Sequence, residues 1–120
     1  MLNFQAFYLP GLLFLSTVAL GFLVESAGRP YHQLLFNFHK LAALAGVALI
    51  ILRLVGMDYF DAPSLIGLLP FLLAAVGTVS LFITGALMSI QADLNPVVLF
   101  FHRIGPVIIT LCLAWAYFLL

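Results

Sequence analysis

The sequence predicts an all-α, polytopic membrane protein, a four-transmembrane-helix bundle built from two tandem helical hairpins. Composition is the first observation: the 120 residues are 66% hydrophobic and 7% charged, whereas a soluble domain carries about a quarter charged residues. Four apolar stretches are the second, since each has the roughly 20 residues that a transmembrane helix needs. The third is a short motif that occurs once in each half of the chain.

The four apolar stretches define the predicted spans, which cover residues 5–26, 33–56, 64–90 and 96–119. The segments between them are rich in turn-forming residues and comprise 27–32, 57–63 and 91–95. We expect the first span to be retained rather than cleaved as a signal peptide, because Met1 to Gln5 contains no Lys or Arg. Together the spans are predicted to form a single membrane domain over residues 1–120.

An internal repeat divides this domain into residues 5–56 and 64–119. Residues 33–41, QLLFNFHKL, align without gaps on residues 96–104, PVVLFFHRI, at a constant shift of 63 positions. Each half would cross the membrane twice, so the halves are expected to be related by a pseudo-two-fold axis along the membrane normal. His39 and His102 are then expected at equal depth on the same side.

Charged residues are few and balanced, with four Lys+Arg, four Asp+Glu and no net charge. Because the sequence has no basic run, nucleic acid is not an expected partner. The apolar stretches make the lipid bilayer the expected partner. Arg29, Lys40 and Arg103 lie near the first and third connections, whereas Arg53 alone lies near the second. Basic residues favour the cytoplasmic side, so both termini are predicted outside.

Two histidines, each followed directly by a cation, are the candidate cofactor-binding residues. His39 and His102 lie one to two turns inside their predicted spans, where ionisable groups are costly and usually face the protein interior. Neutral imidazole is a good axial ligand for haem iron, and helical bundles hold such cofactors between facing helices. We therefore expect both to be metal ligands, with Lys40 and Arg103 pairing with the propionates of the haem.

Small residues accompany both histidines on the same helical faces. Gly46 lies seven residues after His39, and Gly105 lies three residues after His102, so each faces the same side as its histidine. Space beside a ring suits a planar cofactor. We therefore expect both glycines to belong to the cofactor-binding site.

These motifs resemble the pattern of bacterial membrane-bound b-type cytochromes, in which four-helix bundles hold haem b between histidines. The resemblance covers helices two to four, about two thirds of the chain, and its segments are His39-Lys40 through Gly46 to Leu52-Arg53, Thr84-Gly85-Ala-Leu-Met-Ser and Phe101-His102-Arg103. It implies bis-histidine haem b, electron transfer, quinol or another redox protein as partner, and the plasma (inner) membrane of a prokaryote. Such cytochromes carry several histidines at both helix ends, whereas only two lie inside helices here. At most one haem per chain is therefore expected.

Two other functional classes compete with electron transfer. A non-enzymatic accessory subunit of a larger membrane complex would use the same histidines only for hydrogen bonds across helices or to headgroups. A small multidrug transporter has a similar length, but the carboxylate expected in the middle of the first span is replaced by Ser16 and Thr17. Hydrolytic and phosphoryl-transfer motifs are absent from the sequence, so we expect an electron-transfer component rather than a stand-alone catalyst. A homodimer or a larger complex is compatible with either leading interpretation.

Two further residues have more than one interpretation, and the cysteine excludes two kinds of site. His32 aligns with Asn95 and is either a solvated loop histidine or a third ligand or proton relay. Glu25 ends the first span and is either an interfacial carboxylate, a proton carrier or a partner of Lys40. Cys112 stands alone, which excludes an intrachain disulfide and a thiolate metal cage.

Overall fold

A computed structural model of the chain describes residues 4–56 and 65–119, apart from the side chains of Phe4, Ala6 and Leu119. A 3₁₀ helix, Phe4–Phe7, precedes four α-helices: α1 (Tyr8–Ser26), α2 (Gln33–Gly56), α3 (Leu65–Ile90) and α4 (Pro96–Leu119). No strand occurs in the described ranges, so the predicted all-helical fold class is confirmed. The predicted connection 57–63 lies outside the described residues.

All four helices are long and apolar enough to cross a membrane. Their apolar windows have mean hydropathies of 1.7, 1.9, 2.3 and 2.1 in chain order. Large apolar side chains are exposed on these helices, for example Leu15 at 65% and Phe22 at 68%. No polar or charged residue is buried within the part of the chain that the structure describes. Exposed apolar side chains and contacts between helices that are also apolar are typical of helices surrounded by lipid.

The helices pack as two tandem hairpins. The chain divides into two compact units, Met1–Ala62 and Pro63–Leu120. In the first unit α1 packs on α2, and in the second α3 packs on α4. The division coincides with the predicted repeat; the description of both units as one membrane domain stays a prediction.

Local sequence explains where α1 ends. The amide of Ala27 donates to the carbonyl of Leu23 at 3.0 Å, and the amide of Gly28 donates to that of Glu25 at 3.1 Å. Gly28 has a φ of +79°, a left-handed conformation that glycine adopts without a steric penalty and that commonly ends helices. The chain therefore leaves α1 at the position where the sequence places a turn.

A regular stripe of buried residues joins the two helices of the second hairpin. Gly105, Ile109, Cys112 and Ala116 are buried on α4, at alternating spacings of four and three residues that keep them on one helical face. Pro70 on α3 is fully buried. It lies in the second turn of the helix, so it interrupts the backbone hydrogen bonds near the helix start rather than at its centre.

The two hairpins use the same packing layers with the residue sizes exchanged. In the first hairpin, a Cβ at Gly46 of α2 would lie 3.5 Å from Cβ of Leu13 on α1. In the second, a Cβ at Gly77 of α3 would lie 3.1 Å from Cγ1 of Ile109 on α4. The first-helix positions differ by 64 residues and the second-helix positions by 63. Equivalent layers thus pair one large residue with one glycine, which keeps both hairpins closely packed.

Candidate functional site

The two candidate histidines occupy equivalent places in their hairpins. His39 is the seventh residue of α2 and His102 is the seventh residue of α4. Each lies about 9 Å along its helix from the first residue, given a rise of about 1.5 Å per residue. Both side chains are half-buried, and each contacts the preceding helix of its own hairpin.

His39 forms a hydrogen bond with the backbone of α1. Its Nδ1 lies 2.8 Å from the carbonyl oxygen of Thr17. A carbonyl can only accept, so Nδ1 carries the proton and donates it. In the neutral imidazole the lone pair is then on Nε2.

His102 forms the corresponding bond with a side chain of α3. Its Nδ1 lies 2.9 Å from Oγ1 of Thr84. That hydroxyl has one proton, which it donates to the carbonyl of Ser80 at 2.7 Å, with the carbonyl of Leu81 at 3.2 Å. When the hydroxyl donates to a carbonyl in this way, its oxygen accepts from Nδ1–H of His102, and this arrangement gives the ring the same tautomer as His39.

A glycine on the facing helix lies against each ring. A Cβ at Gly21 would be 3.1 Å from Cε1 of His39, and one at Gly85 would be 3.2 Å from Cε1 of His102. Both distances are tighter than ordinary van der Waals contact. We name His39, Thr17 and Gly21 the first histidine site, and the corresponding residues of the second hairpin, which are His102, Thr84 and Gly85, the second histidine site.

Gly46 and Gly105, predicted to line the cofactor, pack inside the hairpins. Gly46 faces Leu13 on α1, and Gly105 faces Leu81 on α3, where a Cβ would lie 2.5 Å from Cδ2 of that leucine. Leucine side chains therefore cover these two glycines from the other helix of each hairpin. Their contribution to a cofactor site stays a prediction.

The cations beside the histidines lie on the exposed surface. Nζ of Lys40 lies 4.0 Å from the ring centroid of Phe36, one turn earlier in α2. Phe36 stacks on Tyr31 at 5.7 Å, and Arg29 lies 5.1 Å from the Tyr31 ring. Cation–aromatic contacts of this kind stabilise the start of α2 modestly at exposed positions.

Arg103 is exposed at the equivalent position of α4. The pairing of Lys40 and Arg103 with propionates stays a prediction.

His32 has a structural role that sequence reasoning missed. Its carbonyl accepts from the amide of Phe36 at 3.0 Å, and its Nδ1 lies 3.5 Å from the amide of Leu35. Asn95 does the same for α4, since its Oδ1 accepts from the amide of Val97 at 2.9 Å. Both residues are therefore N-caps. The alignment of His32 with asparagine was the signal that could have revealed this role.

The donors of the two histidine sites fit haem iron. The described residues hold no group of three or more His, Cys, Asp or Glu able to bind a metal ion, so a cage made only of side chains is not available there. Haem takes just two ligands from protein, because its porphyrin supplies the others, and each histidine site offers one imidazole, the side chain that commonly binds haem iron.

A scan against protein-family models, a search of curated proteins and a search of solved structures each found no match to this chain. The two histidine sites are therefore the features of this chain that bear on its function.

Proposed function

We propose that this protein is a membrane-embedded haem b protein for electron transfer, with one bis-histidine haem per chain held by His39 and His102. The observation that carries the proposal is the duplicated hydrogen bond from Nδ1–H to an oxygen of the preceding helix. Metal-ligating histidines almost always donate their second ring N–H to a carbonyl, carboxylate or water, which fixes the tautomer and raises the basicity of the ligand. Both histidines meet this condition at the same helical position.

Each part of the two histidine sites has a defined task in this proposal. His39 and His102 would hold the iron through Nε2, while the Thr17 carbonyl and the Thr84 hydroxyl would keep the rings in orientation. Haem, when bound, supplies one-electron chemistry at its iron. With two histidine ligands the haem would support electron transfer rather than activation of oxygen. Lys40 and Arg103 would neutralise the propionates.

Location and partners follow from the apolar surface and the placement of cations. In this proposal the apolar helices would exchange electrons with a membrane-dissolved quinol or with another redox protein at the bilayer surface. Arg29, Lys40 and Arg103 favour a cytoplasmic position for the first and third connections, and so termini on the outer side of the plasma membrane of a prokaryote.

Asparagine substitutions at the two histidines test the proposal. The side-chain amide of asparagine reproduces the Nδ1–H donor of histidine but has no equivalent of Nε2. We expect the purified wild-type protein, expressed with adequate haem supply, to give a sharp low-spin b-type spectrum when reduced with dithionite. We expect His39→Asn and His102→Asn each to lose that spectrum while their helical circular dichroism is retained.

His32→Asn is the matched control, because it also removes an imidazole but preserves an N-cap. We expect this variant to retain the spectrum of the wild type. A colourless wild-type protein, or a spectrum that survives both His39→Asn and His102→Asn, would contradict the proposal.

An accessory subunit without haem is the second candidate. The same two hydrogen bonds favour it, because each one joins two helices and satisfies a polar ring inside an apolar environment. Such bonds stabilise membrane helix pairs by only about 0.6 kcal/mol on average. In this case the wild type would be colourless, and asparagine would replace either histidine with almost no change in stability.

A further inference from the structure

The two histidine sites differ in the atom that accepts the Nδ1 proton. In the first site the acceptor is the carbonyl of Thr17, a backbone atom. In the second it is the hydroxyl of Thr84, which itself donates a hydrogen bond to a backbone carbonyl one turn earlier. Leu20 stands at the position of the first hairpin that corresponds to Thr84, shifted by the same 64 residues as Gly21 and Gly85.

Equivalent backbone carbonyls lie near both histidine rings, directly in the first hairpin and beyond the Thr84 hydroxyl in the second. Thr17 corresponds to Leu81 by this shift, and the carbonyl of Leu81 lies 3.2 Å from the Thr84 hydroxyl. His39 thus reaches its carbonyl directly, whereas in the second hairpin a hydroxyl stands between the ring and the equivalent carbonyl. A hydroxyl that donates to a carbonyl becomes a better acceptor, because hydrogen bonds in a chain polarise one another.

We propose that Thr84 is a positioning residue that holds His102 in its Nδ1-protonated form and thereby directs the Nε2 lone pair toward a ligand. The extension to haem rests on the function proposed above, but the tautomer does not. Loss of the hydroxyl would leave Nδ1–H without this acceptor and allow the proton to move to Nε2, the nitrogen that must be unprotonated to bind iron.

Variants at two threonines of α3 separate this role from general packing. Thr84→Val removes the hydroxyl at nearly constant shape, and Thr84→Ser restores it. Thr78→Val is the matched control, because Thr78 is also half-buried on α3 and its hydroxyl donates within its own helix, to the carbonyl of Ala74. His39 in the same molecules serves as an internal reference.

The first measurement uses haem-free protein with ¹⁵N-labelled histidine in lipid nanodiscs. We expect the ¹⁵N shifts of His102 to report Nδ1 protonation in the wild type, Thr84→Ser and Thr78→Val. In Thr84→Val we expect a change toward Nε2 protonation at His102 alone. An unchanged His102 tautomer in Thr84→Val would overturn the inference.

The second measurement uses the haem-loaded protein. We expect Thr84→Val to weaken haem binding by about 10- to 100-fold, the usual effect of losing a partner of a metal ligand. Its midpoint potential is expected to move to a more positive value, because a less basic imidazole stabilises the ferric state less, and Thr84→Ser should restore both properties. Equal affinity and potential in Thr84→Val and Thr78→Val would overturn the inference for the loaded protein.

Failure of the proposed function looks different. If the wild type binds no haem while Thr84→Val still changes the His102 tautomer, the positioning role of Thr84 is supported and the proposed haem binding is contradicted.

Discussion

Single residues determine how closely the helices of each hairpin approach, and glycine does this at both histidine sites. Gly21 and Gly85 admit an imidazole edge, while Gly46 and Gly105 admit leucine. The repeat at His39 and His102 therefore extends beyond the histidines to the surface that each one contacts.

Gly105 provides the most direct test of this packing. A methyl group there would lie 2.5 Å from Cδ2 and 2.9 Å from Cγ of Leu81, and the Leu81 side chain would have to shift. We expect Gly105→Ala to lower the free energy of unfolding by about 1–3 kcal/mol, the usual cost of overpacking. The change is measurable by reversible unfolding in mixed micelles.

Gly11→Ala provides the matched control, because a Cβ at Gly11 meets no atom within 4 Å. We expect that variant to be neutral or slightly stabilised, since alanine favours helix. Equal stability of the two alanine variants would contradict the packing seen at Gly105.

Whole helices begin at N-caps that are equivalent in the two hairpins but chemically different. Asn95 caps α4 with a side-chain carbonyl, and His32 caps α2 with a ring nitrogen. The longer 3.5 Å contact of His32 indicates the weaker cap. This asymmetry gives the third histidine a structural role at the start of α2.

Removal of the asparagine cap should therefore destabilise α4. We expect Asn95→Ala to lower the free energy of unfolding by about 1 kcal/mol, because the amide of Val97 loses its acceptor. Asn95→Asp should retain most of the stability. Asn37→Ala, at an exposed site within α2, is the control and should cause no comparable loss; a similar loss there would argue against a capping role for Asn95.

The whole molecule is a duplicated hairpin with a small excess of cations at two of its three connections. The orientation with both termini outside depends on that excess. Cys112 is the single cysteine of the sequence and is buried at 8% exposure. Its replacement by alanine would therefore give a cysteine-free background for labelling from either side.

Single cysteines in this background test the orientation. On intact cells, we expect a membrane-impermeant maleimide to label Ser64→Cys, next to the second connection. Ala27→Cys and Ala92→Cys, in the first and third connections, should react only after the cells are opened. The reverse pattern would place the termini in the cytoplasm and contradict the prediction.

The predicted spans agree closely with α2, α3 and α4, since hydropathy and turn residues are local properties of the sequence. The first span was predicted from residue 5, whereas α1 begins at Tyr8 after a 3₁₀ helix. The difference is small because helix starts depend on local hydrogen bonds that hydropathy does not report. The histidine pair was also found from sequence, through the gapless repeat at His39 and His102.

The hydrogen-bond acceptors could not be found in this way. Thr17 acts through its backbone carbonyl, which every residue possesses, and Thr84 is one of several threonines with the same local pattern. Gly46 and Gly105 were interpreted as space beside a cofactor, because sequence gives the face of a glycine but not the side chain opposite.

The apolar pattern and the repeat were thus sufficient to establish four membrane-length helices, their hairpin order and the two histidines. Tertiary structure decided which oxygen each imidazole contacts and which leucines cover the glycines. The physical reason is one of range: hydropathy and turns act over a few residues along the chain, whereas these contacts join residues 18 and 22 positions apart. Their geometry depends on the relative rotation of two packed helices, which no local pattern specifies.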